Sequence, residues 1–185
     1  MPKTHTFGMS PKHKRAMQNV GRLLFVLLLC TLSRATFAQN YFYIGEQRYK
    51  TTPSRSFSFP GGHELSMDYQ GTTPFINVSI AKRSNGGYLV LSLYTFHFNQ
   101  FSGNVFLYLS DGSVIKCYDR NMGDYVNNKI IGVYLLSPAE IERLKRHRIE
   151  SIRFSVKHRF GVQSESYIAT GSANTTEDVR MLFGN

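Results

Sequence analysis

Asn85-Gly86-Gly87 and Ser110-Asp111-Gly112-Ser113 constrain this chain more than any other feature. Both are residue choices for a tight β-turn, because glycine accepts positive φ without steric cost. Both also lie between runs of period two. Before the first turn, Ile76, Val78 and Ile80 alternate with Asn77 and Ser79. After it, a strand is expected from Tyr88 to about Phe98. Leu89, Leu91 and Leu93 share one of its faces, and Tyr88, Val90, Tyr94, Phe96 and Phe98 share the other. Apolar character on both faces predicts a central strand covered on both sides. Around the second turn, Val105, Leu107 and Leu109 alternate with Phe106 and Tyr108, and Val114-Ile115-Lys116-Cys117-Tyr118 returns. Strands joined by such short turns pair antiparallel.

The flanking sequence extends this pattern. Tyr41-Phe42-Tyr43-Ile44 and Arg48-Tyr49-Lys50 flank a turn at Gly45-Glu46, and Phe57 and Phe59 alternate with serines. Thr51 to Ser54 reads as loop. Asp119 to Lys129 is polar, contains Gly123 and Asn127-Asn128, and is also expected to be loop. Ile130 to Leu136 predicts a strand. Ser137-Pro138-Ala139-Glu140 has the form of a capping box with proline at the first helical position. It opens a helix expected over about 138–148, with Ile141 and Leu144 as its apolar stripe. Ile152, Phe154 and Val156 then alternate with Arg153, Ser155 and Lys157, and a further strand is expected through Ser166-Tyr167-Ile168. Thr176 is the expected cap of a short C-terminal helix carrying Val179, Leu182 and Phe183. The fold class that follows is mainly β, with eight or nine strands. They would form a single antiparallel β-sandwich or strongly curved sheet, with one internal capped α-helix and a short C-terminal helix.

The N-terminal part has a different character. Residues 1–22 hold Lys3, Lys12, Lys14, Arg15 and Arg22 and no acid. An apolar run follows from Leu23 to Leu32, then Thr36-Phe37-Ala38 with small residues where a signal peptidase reads. This order is that of a secretory signal peptide, with cleavage expected between Ala38 and Gln39. As a helix, the run would span about 15 Å, roughly half a bilayer core. That favours a cleaved signal over an uncleaved inner-membrane anchor, the alternative. Starting at Met17 gives a more compact lead-in than Met1 or Met9, so translation is expected to begin downstream of Met1. Cys30 follows Leu29, where a lipoprotein signal wants a small residue. The domain reading is therefore a signal peptide over 1–38 and a single β-rich domain over 39–185.

Export changes the meaning of the charge. The chain carries a formal net charge of +10, but six of its 22 Lys and Arg and none of its 12 Asp and Glu lie in residues 1–38. Sixteen basic and twelve acidic residues remain, a net of +4. Nucleic acid is thus not an expected partner. Of the 2 cysteines, Cys30 leaves with the signal, so Cys117 has no intramolecular disulfide partner. Its place in an alternating strand predicts a small buried hydrophobe.

The stretch from Leu107 to Phe154 carries a resemblance. Its parts are Leu107-Tyr108-Leu109-Ser110-Asp111-Gly112-Ser113-Val114-Ile115-Lys116-Cys117, then Val133-Tyr134-Leu135-Leu136-Ser137-Pro138-Ala139-Glu140-Ile141-Glu142-Arg143-Leu144, then Ile149-Glu150-Ser151-Ile152-Arg153-Phe154. It resembles uncharacterised secreted β-rich proteins of Bacteroidota-type bacteria. The resemblance covers about a quarter of the chain in hairpin, helix and strand signals. It implies export in a Gram-negative cell and carries over no activity and no site residue.

Catalytic motifs are lacking in the sequence. There is no Gly-x-Ser-x-Gly elbow, P-loop or dinucleotide glycine pattern. His63-Glu64 begins like a zinc-protease helix, but Met67 stands where the second histidine belongs, and Asp68 adds only a mixed loop ligand. Cys117 and His97 are the one Cys–His pair that adjacent strands could bring together, and both lie in strand patterns that favour packing. Among polar features, Arg143, Lys145, Arg146, Arg148, Arg153, Lys157 and Arg159 cluster within seventeen positions. Arg143, Lys145, Arg146 and Arg148 are the candidate binding patch, with an anionic envelope component or another protein as the partner. The simpler reading is a solvated helix face partly neutralised by Glu142. The 14 Phe and 11 Tyr, without Trp, are read as core unless exposed together. No metal and no cofactor is implied. The expectation is a small exported, non-enzymatic binding or envelope-associated module in the periplasm or at the cell surface. An exported hydrolase with a dispersed polar site is the alternative.

Overall fold

The computed structural model describes residues 40–60, 73–95, 99–158 and 163–184. All of them belong to one compact unit, Gln39–Asn185. The leader, the Ala38–Gln39 cleavage site, His63, Glu64, Met67, Asp68, Phe96, His97, Phe98 and Arg159 lie outside the described residues.

Twelve strands are described, and all of their pairings are antiparallel. In chain order they are β1 (Asn40–Ile44), β2 (Gln47–Thr51), β3 (Arg55–Ser58), β4 (Phe75–Lys82), β5 (Gly87–Tyr94) and β6 (Asn99–Phe101). Then come β7 (Val105–Leu109), β8 (Val114–Cys117), β9 (Gly123–Val126), β10 (Lys129–Leu136), β11 (Ile149–His158) and β12 (Ser164–Thr170). Two helices complete the fold, α1 (Pro138–Leu144) and α2 (Thr175–Phe183). The main strand order is β8-β7-β11-β12-β3-β4-β5-β10-β9. This is one curled, half-barrel antiparallel sheet. The fold is therefore the strongly curved sheet of the two expected architectures, rather than a sandwich.

Two broken strands shape the curl. β2 and β3 are successive pieces along the same edge of β4, with Thr51 opposite Ala81 and Arg55 opposite Val78. Thr52 bridges the break. Its backbone N–H donates to Ile80 O at 2.9 Å, and its hydroxyl accepts from Ile80 N at 3.0 Å. Likewise β6 and β7 both pair with β11, at Val156–His158 and at Ile149–Arg153, with a register shift between Ile149 and Ser151. Breaks and bulges let a twisted sheet bend sharply without losing its ladder.

The main core is one cluster with contributions from both ends of the sheet, including Phe57, Ile76, Leu89, Leu107, Ile115, Ile130 and Phe154. Phe59 stacks edge-on against Phe154 at 5.4 Å, and Phe154 lies 5.7 Å from Tyr167. A second cluster covers the other face of β4, β5 and β10. There Ala81, Tyr88, Val90 and Val133 pack under Phe42, Ile44 and Tyr49 of the β1–β2 hairpin. β5 is thus the central, doubly covered strand that its two apolar faces predict. It ends at Tyr94, short of the expected Phe98, and β6 then pairs with β11 rather than with β5's neighbours.

Other expectations are corrected in extent. The 119–129 stretch is not all loop. Gly123–Val126 pairs with the start of β10, and Asn127 and Asn128 turn the chain at φ 52 and 59. Asparagine is the residue after glycine that best tolerates that conformation. α1 has the expected capping box, with Glu140 N donating to Ser137 Oγ and Ser137 N to the Glu140 carboxylate. It stops at Leu144, however, not near Arg148. Ile141 and Leu144 are its only buried anchors. By Arg148 the backbone belongs to the next strand region, its carbonyl accepting from Ser110 N and the following Ile149 N donating to Thr175 Oγ1. The cap of α2 is Asn174, not Thr176.

α2 is held by polar contacts that the sequence does not announce. The Arg55 guanidinium grips both oxygens of Asp178 at 2.7 Å, with Asp178 only 3% exposed. Arg180 Nε donates to Lys145 O at 2.7 Å and joins α2 to the end of α1. Gly87 sits beneath both helices. A Cβ there would meet Ile141 Cδ1 at 3.0 Å and Phe183 Cζ at 3.3 Å.

Candidate functional site

The curl brings the two ends of the sheet together without joining them. β6 comes against β9 and β10, and β8 against β10, with no ladder between them. The chain from Asp119 to Met122 crosses this seam. It is stitched on one side to the β6–β7 connection, where Asp119 Oδ2 accepts from Gly103 N at 2.8 Å and Asn104 Oδ1 accepts from Asp119 N at 3.1 Å. On the other side Val133 N donates to Met122 O at 2.8 Å. Asp119 Oδ1 also accepts from Asn121 N at 2.7 Å, which helps hold Asn121 at φ 53.

Beside this crossing lies a cleft of about 400 Å³. Phe101 and Tyr125 bring aromatic side chains to it, Gln100, Asn121 and Asp124 line it with polar groups, and Gly132 and Tyr134 of β10 line it as well. Gly132 is required by the packing. A Cβ on it would lie 2.8 Å from the Phe101 ring and 3.1 Å from Tyr134 Cε2. The glycine therefore lets Phe101 lie close over β10.

Tyr134 is the most informative side chain. It is only 2% exposed and lines the cleft, yet its hydroxyl makes no hydrogen bond to any described residue. No fully enclosed side-chain N or O among the described residues lacks a partner. The Tyr134 hydroxyl is therefore not fully enclosed, on a side chain that lines the cleft. Burial pushes its ionisation well above the ordinary phenol value, with the negative charge of Asp119 adding to the effect. The phenol stays protonated at any physiological pH and is available as a donor.

The acids of the cleft are already engaged. Both Asp119 oxygens accept backbone N–H groups, and Asp124 Oδ1 accepts from Tyr125 N at 2.7 Å. Among the described residues no group of three His, Cys, Asp or Glu side chains is placed to hold a metal ion.

The candidate basic patch has a partner for each cation. Arg143 donates to Val114 O at 3.2 Å, Lys145 to Glu142 Oε1 at 2.8 Å, Arg146 to Glu142 O at 3.2 Å and Arg148 to Glu150 Oε1 at 3.1 Å. Glu142 is engaged as expected, but by Lys145 through its carboxylate and by Arg146 through its carbonyl. Arg153 lies 4.4 Å over the Phe106 ring. Cys117, the sole cysteine among the described residues, is free and wholly buried. Burial, reinforced by Glu140, pushes its thiol up to about 12, which removes the thiolate a nucleophile needs. Tyr94 is 44% exposed, with Lys129 Nζ 4.3 Å from its ring centre. Among the described residues no helix is long and apolar enough to cross a membrane.

The seam cleft was not legible in advance. Its residues come from β6, the 119–122 crossing, β9 and β10, and β6 and β9 are the strands that periodicity misses. One signal was present: Gly132 interrupts an otherwise apolar strand, which marks a place where another group approaches closely. No protein-family model matches the chain, no curated protein matches its sequence, and no solved structure matches its fold.

Proposed function

We propose that this chain is an exported, non-enzymatic binding module of the periplasm or cell surface. Its seam cleft would take a small, uncharged, hydroxyl-bearing ligand such as a saccharide. Export is supported by the basic lead-in, the Leu23–Leu32 apolar run and Thr36-Phe37-Ala38. The observation that carries the binding reading is Tyr134. A protonated phenol, buried and without a hydrogen-bond partner among the described residues, lines a cleft that also holds aromatic rings. Such convergence of a few polar groups on a partly apolar concavity is what small-molecule sites share. The charge of Asp119 and Asp124 disfavours an anion. Their engagement by backbone N–H groups leaves a poor cation site. A neutral polyol can take the phenol's hydrogen bond and lay its C–H face on Phe101 or Tyr125.

Amide chemical shifts of the full chain, titrated with glucose, galactose, N-acetylglucosamine and maltose, test this reading. Saturable shifts confined to Gly123, Tyr125, Gly132 and their neighbours are expected. Tyr134→Phe should weaken binding about tenfold, the worth of one good hydrogen bond. Absence of any saturable shift up to about 20 mM saccharide, a concentration covering weak site binding, would overturn it.

A further inference from the structure

We propose that a second groove, separate from the seam cleft, binds a phosphate-type oxyanion carried on a small organic body. It has a volume of about 380 Å³ and is built from five parts of the chain, the start of α1 among them. The β4–β5 turn supplies Arg83, β8 supplies Lys116, the segment after β8 supplies Tyr118 and Arg120, and the end of β10 supplies Leu135.

The three cations converge without a carboxylate partner among the described residues. The Arg83 guanidinium is fixed by donating to Asn85 O, from Nε at 3.2 Å and from Nη2 at 2.7 Å, and lies 5.4 Å from the Tyr88 ring centre. A guanidinium has five N–H groups, so Arg83 is oriented and still has donors to give. Lys116 Nζ sits 4.8 Å from the Tyr118 ring centre and 5.9 Å from that of Phe106. Aromatic faces hold an ammonium in place without using its hydrogen bonds on an oxygen. Arg120 is exposed and makes no hydrogen bond or ion pair to a described residue.

The groove also holds Glu140, but this carboxylate is committed. Its Oε2 accepts from both the backbone N–H and the hydroxyl of Ser137, at 2.7 and 2.8 Å. Three guanidinium or ammonium groups against one engaged carboxylate leave an excess of about two positive charges, the complement of a phosphate near neutral pH. Arginine and lysine donors suit a tetrahedral oxyanion. Tyr118, 58% exposed, and Leu135 give apolar surface to the group that carries it. This groove does not use the candidate cations Arg143, Lys145, Arg146 and Arg148, each of which has a local partner. The inference does not rest on the saccharide reading of the seam cleft.

Calorimetry on the full chain at fixed ionic strength tests it, with inorganic phosphate and glycerol 3-phosphate as soluble probes and phosphatidylglycerol vesicles as the lipid source. Saturable binding of glycerol 3-phosphate, tighter than that of inorganic phosphate, is expected. Lys116→Gln and Arg120→Gln change exposed side chains and should leave the fold intact by circular dichroism. Each should weaken binding about tenfold. Arg148→Gln removes the same charge outside the groove and should leave binding within twofold. Vesicle binding that is lost in K116Q and R120Q identifies a lipid headgroup as the source of the phosphate. Soluble binding without vesicle binding identifies a free organic phosphate. The proposal is overturned by no saturable binding to any of the three probes, or by a loss in R148Q equal to that in K116Q and R120Q. Vesicle binding alone that survives K116Q and R120Q would overturn it too.

Discussion

The Arg55–Asp178 pair fixes the C-terminal helix to the sheet, and its two partners are buried unequally. Asp178 is 3% exposed and the Arg55 side chain 40%. Removing either one should therefore cost different amounts. Arg55→Met strands an ionised carboxylate away from water, between β3 and the first turn of α2. Breaking a buried pair this way costs about 3–5 kcal/mol, and the half-open side of this one brings the expectation to about 3 kcal/mol. Asp178→Leu leaves a guanidinium that can turn into solvent, so only charge-assisted hydrogen bonds of modest net worth are lost, about 1–2 kcal/mol. The double variant removes the stranded carboxylate as well and should be more stable than R55M alone. A coupling of about 2 kcal/mol is the result. Urea unfolding followed by far-UV circular dichroism and tyrosine fluorescence suits a chain with 11 Tyr and no Trp. If R55M costs no more than D178L, or if the two effects simply add, the burial argument is wrong.

Three other perturbations have defined outcomes. Gly132→Ala puts a methyl 2.8 Å from the Phe101 ring; overpacking there should cost about 1–3 kcal/mol in urea unfolding and abolish any ligand response of the seam cleft. Ser137→Ala removes the hydroxyl half of the α1 capping box, the Oγ bonds with Glu140 N and Glu140 Oε2, while the backbone N–H of residue 137 keeps its own bond to the Glu140 carboxylate; it should lower stability by about 1 kcal/mol, with its largest effect on amide exchange in residues 138–144. The Cys117 thiol is raised in the folded state to about 12 from an ordinary 9.0. Its neutral form is thus favoured by folding, and that contribution is complete below pH 9 and lost as pH climbs toward 12. Urea unfolding across that window should show a falling stability whose slope Cys117→Ala reduces, the remainder coming in part from the Tyr134 phenol, which burial also raises, and a thiol reagent should label Cys117 only after denaturation.

What the sequence discloses about this fold follows the strength of local signals. Ile76, Val78 and Ile80 reveal their strand because alternate residues are buried there, and Leu89, Leu91 and Leu93 reveal theirs by alternating with a second apolar set, Tyr88 and Val90, as a strand buried on both faces requires. The Asp111-Gly112 turn is equally plain, with Gly112 at φ 79. β6 and β9 are too short, at three and four residues, and too polar to show a period. Asn127-Asn128 was a usable hairpin signal for β9, since both residues take positive φ. Late basic residues suit a helix dipole and so lengthen the expected α1, whereas its buried anchors end at Leu144. The choice between sandwich and curled sheet depends on where strands break, at Thr52 and after Phe101, and local patterns do not contain the resulting curvature. The same limit hid the seam cleft: Phe101, Asp119, Tyr125 and Tyr134 become neighbours only when the sheet closes on itself. The basic cluster was legible as charge, but its local pairing was legible only at Glu142.

The proposal that most of the functional reading depends on is export of residues 39–185 after removal of the leader. The most direct test is intact mass, with N-terminal sequencing, of the protein recovered from fractionated Gram-negative cells expressing the full chain. The account predicts a soluble periplasmic or secreted product beginning at Gln39 and retaining Cys117 as its single thiol. An uncleaved product holding Leu23–Leu32 in the membrane fraction, or one found only in the cytoplasm, would contradict it.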